Sequence, residues 1–217
     1  MKFTTLLLSG LAALTTAQTA APYTDAKSGI TFNAFIGSTG YFFGIALPAN
    51  STSSNTDFIA TIGGKGTGWS GVSLGGGMLN KLLVVAWPNA QAIVSSFRKT
   101  ANYGSPAVAT GTFTQTPIAN GTYVNATHWT YTFLCSKCIL SDKTTFAPTD
   151  LTASFGYALN AAAPAQKTNP ASSVAKHTSQ GQVSLDLKKA QSASFESWRS
   201  WAVKSAVTVA VKREWEG

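Results

Sequence analysis

The sequence predicts an all-β protein, an antiparallel immunoglobulin-like β-sandwich built as one domain. Three observations point there. About ten short apolar or alternating runs are separated by Gly, Pro, Asn and Ser at strand-like spacing. No convincing helical periodicity precedes residue 190. Once an amino-terminal leader is set aside, 200 residues remain (18–217), enough to bury a core without many disulfides.

The leader is the first element. Met1-Lys2-Phe3, the apolar run from Leu6 to Leu14 and the small residues before a cut after Ala17 make residues 1–17 a secretory signal peptide. That run is too short to span a bilayer, and no later segment is long enough, so no transmembrane segment is expected in an exported mature chain. Losing Lys2 leaves 15 basic against 8 acidic residues, a net of +7. A basic balance favours acidic partners. The chain has no Arg cluster or basic-aromatic ribbon of the kind single-stranded nucleic acid requires, which argues against a nucleic-acid role. Three sequons, at Asn50, Asn120 and Asn125, mark loops expected to face water and accept glycans.

Taken in order, 29–36 and 41–47 read as strands joined by a turn at Ser38-Thr39-Gly40. Residues 57–62 form a third, followed by a turn at Gly63-Gly64-Lys65-Gly66 into a strand beginning at Trp69. Leu82 to Trp87 is a continuous apolar run stopped by Pro88, the pattern of a strand buried on both faces. Further strands are expected at 91–97, 107–115, 127–134, 151–159 and 182–187. In 127–134, Trp129, Tyr131 and Phe133 fall on one side; His128, Thr130 and Thr132 fall on a side expected to face solvent. Residues 160–176 form a long loop of Ala, Pro, Ser and Asn. The body ends at 189, and 190–217 is expected as a tail or linker. In the tail, Phe195, Trp198, Ala202 and Val209 fit one face of a helix, while Val207 to Val211 suits a strand equally well.

The chemistry-bearing stretch is Trp69 to Met78. An alternating strand runs into Gly75-Gly76-Gly77 and delivers the only methionine besides Met1. Glycines let a backbone approach a large flat object closely, which makes Trp69, Gly76 and Gly77 candidates for cofactor contact. A thioether is one of the axial ligands used for haem iron alongside His, although filling a core gap is the commoner use of Met. Two histidines are available as partners. His128 sits on the polar side of its strand; His177 closes the long loop, where a mere surface histidine is the alternative. Cys135 and Cys138 end a strand rather than begin a helix, so a structural disulfide is favoured over redox catalysis. Two distant His and two nearby Cys make no zinc set. No nucleophile elbow, phosphate loop or convincing carboxylate pair is present.

Eight stretches together resemble the haem-binding cytochrome domain of fungal cellobiose dehydrogenases and the wider DOMON group. They are Gly29-Ile30-Thr31-Phe32; Trp69 to Met78; Leu82 to Asn89; Ser95-Ser96-Phe97-Arg98; Asn125 to Trp129; Cys135-Ser136-Lys137-Cys138; Phe155-Gly156-Tyr157-Ala158; and Lys176-His177-Thr178. The resemblance implies a β-sandwich holding haem b between Met78 and His177, with Cys135 and Cys138 bonded. It places the haem among apolar walls, for which Phe32, Phe43, Val72, Leu74 and Trp87 are the candidates. Arg98 is the candidate to neutralise a haem propionate, a surface salt bridge being its alternative. The implied function is secreted, one-electron transfer. Electrons arrive from a flavin dehydrogenase partner and leave to an acceptor such as a copper polysaccharide monooxygenase, a quinone or ferric iron. The sequence departs from the family at Thr178-Ser179-Gln180, where Asp or Asn with an aromatic is usual. The competing expectation is a haem-free carbohydrate-binding or interaction module using Tyr23, Tyr103 and Tyr123.

Overall fold

The computed structural model describes residues 19–202, so the leader at 1–17 and the strand alternative at 207–211 lie outside the described residues. In chain order the strands are β1 (Ala21–Thr24), β2 (Thr31–Ile36), β3 (Phe42–Pro48), β4 (Phe58–Lys65), β5 (Trp69–Ser73), β6 (Leu83–Asn89) and β7 (Ala92–Lys99). They continue as β8 (Ala107–Val108), β9 (Thr114–Pro117), β10 (Tyr123–Val124), β11 (His128–Ser136), β12 (Thr152–Asn160), β13 (Ser179–Asp186) and β14 (Gln191–Ser192). One sheet runs β1-β2-β3-β4-β11-β10, with β9 added on β11 and β14 on β3. The other runs β13-β12-β5-β6-β7-β8. Two packed sheets, antiparallel except for the short β14–β3 pairing, make the expected immunoglobulin-like sandwich.

Strand alternation sorts the apolar residues into three layers. Inward-facing Phe43, Ile45, Phe58, Ile62, Val72, Val84, Phe133 and Phe155 fill the space between the sheets. Outward-facing Phe32, Ala34, Ala46, Ile59 and Leu134 of the first sheet are covered by Phe195 and Trp198. Outward-facing Val85 and Trp87 of the second sheet meet Trp69 and Val174. Both outer faces are therefore roofed, one by a helix at 195–202 and the other by loops.

Several expectations are corrected by this packing. Gly63, Gly64 and Lys65 continue β4 instead of turning. A Cβ at Gly63 would collide with the Phe42 ring and the Trp129 carbonyl, so the glycine there serves close packing. Thr130 and Thr132 are buried at 2% and 0% exposure, because the 118–124 segment lies over them and Thr122 Oγ1 donates to the Thr132 carbonyl and accepts from the Thr132 N–H. Residues 190–202, expected as a tail, dock: Leu47 N–H bonds the Ala190 carbonyl, β14 pairs with β3, and Phe195 is 1% exposed. Among the described residues no helix is long and apolar enough to cross a membrane.

Candidate cofactor site

Met78 is carried by the 74–82 loop between β5 and β6. The neck of this loop is closed by the Leu74 N–H donating to the Leu82 carbonyl at 2.9 Å, and is braced by Leu82 N–H to Thr144 and Phe146 N–H to Leu74. At the tip, Ser73 Oγ donates to the Gly77 carbonyl at 2.5 Å, and Asn80 N–H reaches the Thr100 carbonyl. Gly76 has a φ of +87°, which a side chain would disfavour, and this turns the loop across the outer face of the sheet. There Gly76 lies against Ser154 and Gly156 of β12.

His177 ends the 161–178 loop, which leaves β12 and returns to β13. Both feet are tied to the far end of β12: Asn160 Nδ2 donates to the Lys176 carbonyl at 2.6 Å, and Thr178 N–H donates to Leu159 at 2.9 Å. Between its feet the loop crosses the sheet. Trp87 Nε1 donates to the Lys167 carbonyl and Ser96 Oγ to Pro170, while Val174 N–H donates to Ser105 Oγ.

The two loops thus bracket one stretch of β12 from opposite ends, Met78 from the Ser154–Gly156 side and His177 from the Leu159–Asn160 side. Gly156 to Asn160 spans about 14 Å of strand at ~3.4 Å per residue. On the outer face between them stand Gly156 and Ala158, paired in register with Ser73 and Gly71 of β5. These four small residues stand in a block, and the Met78 loop lies on part of it, the Gly76 carbonyl against Gly156 and the Gly77 carbonyl bonded by Ser73 Oγ. Beside it rises an apolar wall of Trp69, Val85, Trp87 and Val174, with Ala158 packed against it. A Cβ at Gly77 would meet nothing within 4 Å. The Trp69 Nε1–H is buried without a hydrogen-bond partner. Small residues beside an apolar wall, with a thioether and an imidazole on the loops tied to the two ends of β12, are a donor set of the kind that haem iron takes. They do not resemble a hard-metal cage: no cluster of three His, Cys, Asp or Glu occurs among the described residues.

The sequence-derived residues divide cleanly. Met78, His177, Trp69, Gly76 and Gly77 are brought to this face. His128 is not: it stands at the start of β11 in the other sheet, its Nδ1 2.9 Å from Thr127 Oγ1. Of the expected walls only Trp87 lies here; Phe43, Val72 and Leu74 are in the inter-sheet core and Phe32 is under the helix. The side a strand residue faces depends on its sheet's partners, which alternation alone does not reveal.

Arg98 shows a third arrangement, neither surface salt bridge nor free group. It is 1% exposed, and Nε donates to Ser96 Oγ, Nη1 to Pro106, and Nη2 to Pro170 and Ser172 at 2.6 and 2.9 Å. Burial lowers its pKa from the usual guanidinium value. Three of these four bonds tie the 102–106 and 161–178 loops to β7, and the fourth stays within the strand. Arg98 is therefore a clamp on the segment that carries His177.

The floor residues Gly71, Ser73, Gly156 and Ala158 were missed as a group. The signal was available in Ser154-Phe155-Gly156-Tyr157-Ala158, where small residues alternate with aromatics. Cys135 and Cys138 are bonded at 2.09 Å. Asn50, Asn120 and Asn125 are all exposed.

Residues 23–197 match the family described as the cytochrome domain of cellobiose dehydrogenase. A pyrroloquinoline quinone-dependent pyranose dehydrogenase of Coprinopsis cinerea is 28% identical over 196 residues, 86% of this chain but 26% of that protein. The chain thus spans about a quarter of the length of that relative. Among solved structures, the cytochrome domain of Myriococcum thermophilum cellobiose dehydrogenase superposes with a TM-score of 0.76 at 28% identity, covering 85% of this chain and 97% of the other. The cytochrome b domain of pyranose dehydrogenase from Coprinopsis cinerea does so with a TM-score of 0.77 at 24% identity, covering 85% and 96%; at that identity it speaks for the fold alone. With the family match covering most of the sandwich and both loops of the site, the chain belongs to the cellobiose dehydrogenase cytochrome domains.

Proposed function

We propose that this electron-transfer cytochrome domain holds haem b on the outer face of its second sheet, with Met78 and His177 as the axial ligands. The observation that supports the reading is that the loops bearing Met78 and His177 are tied to the two ends of β12, beside the apolar wall of Trp69, Val85, Trp87 and Val174. When bound, the haem supplies a one-electron iron couple whose potential is raised by thioether relative to bis-imidazole ligation. The protein's part is to hold both ligands so that no position is left for oxygen. Trp69, Val85, Trp87 and Val174 keep water from one side, while Gly76 and Gly77 keep the backbone close. Arg98 contributes through the loop it fastens.

The donor in this reading is a dehydrogenase on a partner chain, flavin-dependent as the family implies; the pyranose dehydrogenase relative carries pyrroloquinoline quinone instead. The acceptor is extracellular: a copper polysaccharide monooxygenase, a quinone or ferric iron. Export rests on the leader at 1–17, and glycans on Asn50, Asn120 and Asn125 agree with it.

The test is the absorption spectrum of the purified protein, oxidised and then reduced with dithionite. Sharp reduced haem bands are expected, lost in both Met78→Ala and His177→Ala while the fold persists by circular dichroism. A colourless, folded protein that is retained by cellulose would establish the carbohydrate-binding module instead.

A further inference from the structure

The charges of the sandwich are segregated along its strands. The turns β2–β3, β4–β5, β6–β7, β10–β11 and β12–β13 all emerge at the end where His177 lies, because β3, β4, β5 and β12 alternate in direction. Among the described residues this end carries Lys65 at the close of β4 and Lys167 and Lys176 in the 161–178 loop, all exposed; one carboxylate reaches it, the fully buried Asp25, which accepts from Tyr123 Oη of β10 with Lys27 Nζ over the same ring. The chain has no Asp or Glu at all from 58 to 141, nor from 151 to 185. The other described acids gather at the opposite end: Asp57 before β4, Asp142 and Asp150 between β11 and β12, and Asp186 closing β13. Glu196 sits with them, since Arg199 pairs with both it and Asp57. The opposite end also holds Lys81, Lys99, Lys137, Lys143, Lys188 and Lys189, so its charge is mixed.

From this segregation we propose that the His177 end is the docking face for the redox partner, and that the partner presents a cluster of carboxylates to Lys65, Lys167 and Lys176. The inference rests on the haem reading above and adds the place and chemistry of the encounter. Exposed lysines on flexible stems suit a transient complex: they steer approach over roughly a Debye length without fixing one geometry. Lys176 is bonded to the site through its own carbonyl, one residue from His177. A partner held there is held next to one axial ligand. The mixed opposite end offers no comparable field, because its cations have carboxylates among them.

The probe is plastocyanin, a copper protein with an acidic face, used as acceptor for the dithionite-reduced full chain in stopped flow; basic cytochrome c is the contrast. The rate with plastocyanin is expected to fall about tenfold as salt rises across the range where steering is screened. It is expected to fall similarly in Lys65→Glu/Lys167→Glu/Lys176→Glu at low salt, and cytochrome c should show the opposite trend. Lys188→Glu/Lys189→Glu, at the other end, should behave as the unaltered chain. Amide shifts in the nuclear magnetic resonance spectrum on adding plastocyanin should map to the residues flanking 65, 167 and 176. Equal rates and salt slopes in the triple variant, or amide shifts at the β13–β14 end, would overturn the docking face. Absence of reduced haem bands before mixing would instead overturn the haem reading, with the amide map still deciding where an acidic surface binds.

Discussion

The carbonyl of Gly76 lies against Gly156 so closely that a Cβ on Gly156 would collide with it. One glycine turns the loop and the other receives it, and the pair sets how Met78 approaches β12.

Gly156→Ala should therefore move the Met78 loop. Overpacking of this kind costs about 1–3 kcal/mol, small enough for the sandwich to survive. The expected outcome is a folded, haem-containing protein that loses the long-wavelength absorption band marking thioether ligation of ferric haem. Gly77→Ala, whose Cβ would meet no protein atom but would stand on the side the cofactor takes, should leave the loop in place and weaken haem retention instead.

Arg98→Met should leave the carbonyls of Pro106 and Ser172 without their donor, while Pro170 keeps Ser96 Oγ. Buried acceptors stripped of partners cost of order 1–3 kcal/mol each before relaxation, so a loss of about 2–4 kcal/mol is expected in denaturant titration. Limited proteolysis should then cut first within 163–175. Arg98→Lys should recover only part of the loss, because an ammonium lacks the planar fork.

Trp198→Ala separates stability from cofactor binding. Trp198 is 9% exposed beneath the helix on the first sheet, on the face opposite the candidate site. Removing it should cost about 3 kcal/mol and raise binding of a hydrophobic dye, while the reduced spectrum stays unchanged. A changed spectrum would show that the two faces are coupled.

Alkaline pH should destabilise the fold. Tyr41 is held neutral by burial and by neighbouring Tyr157, and Tyr131 by burial, so both pKa values lie above the free phenol's. A raised native pKa means the unfolded chain releases its proton first. Stability is then complete below about pH 10, the unfolded value, and falls by up to ~1.4 kcal/mol per unit per tyrosine above it. Denaturant midpoints measured either side of that pH should fall together with the onset of tyrosinate absorbance. Tyr131→Phe should flatten the dependence. Tyr41→Phe should do so too, while also removing the donor to the Gly71 carbonyl beneath the floor.

The amino-acid sequence by itself determined the layered β architecture, because period-two alternation and Gly/Pro punctuation are local properties. It also narrowed the proposed ligand pair: for Met/His ligation, one internal methionine after three glycines and two histidines leave two combinations. Trp69, Gly76 and Gly77 were legible for the same reason, lying on one short stretch. Only the tertiary structure decided which histidine joins Met78's sheet, since His128 and His177 differ in strand pairing and not in composition. Only it showed that Arg98 clamps two loops, that Phe32 faces a helix instead of the site, and that Phe195 and Trp198 close the first sheet. Each of these depends on which face of a strand is covered, and by what. That is settled by contacts between segments far apart in the chain, such as Asn160 with Lys176 and Gly76 with Gly156.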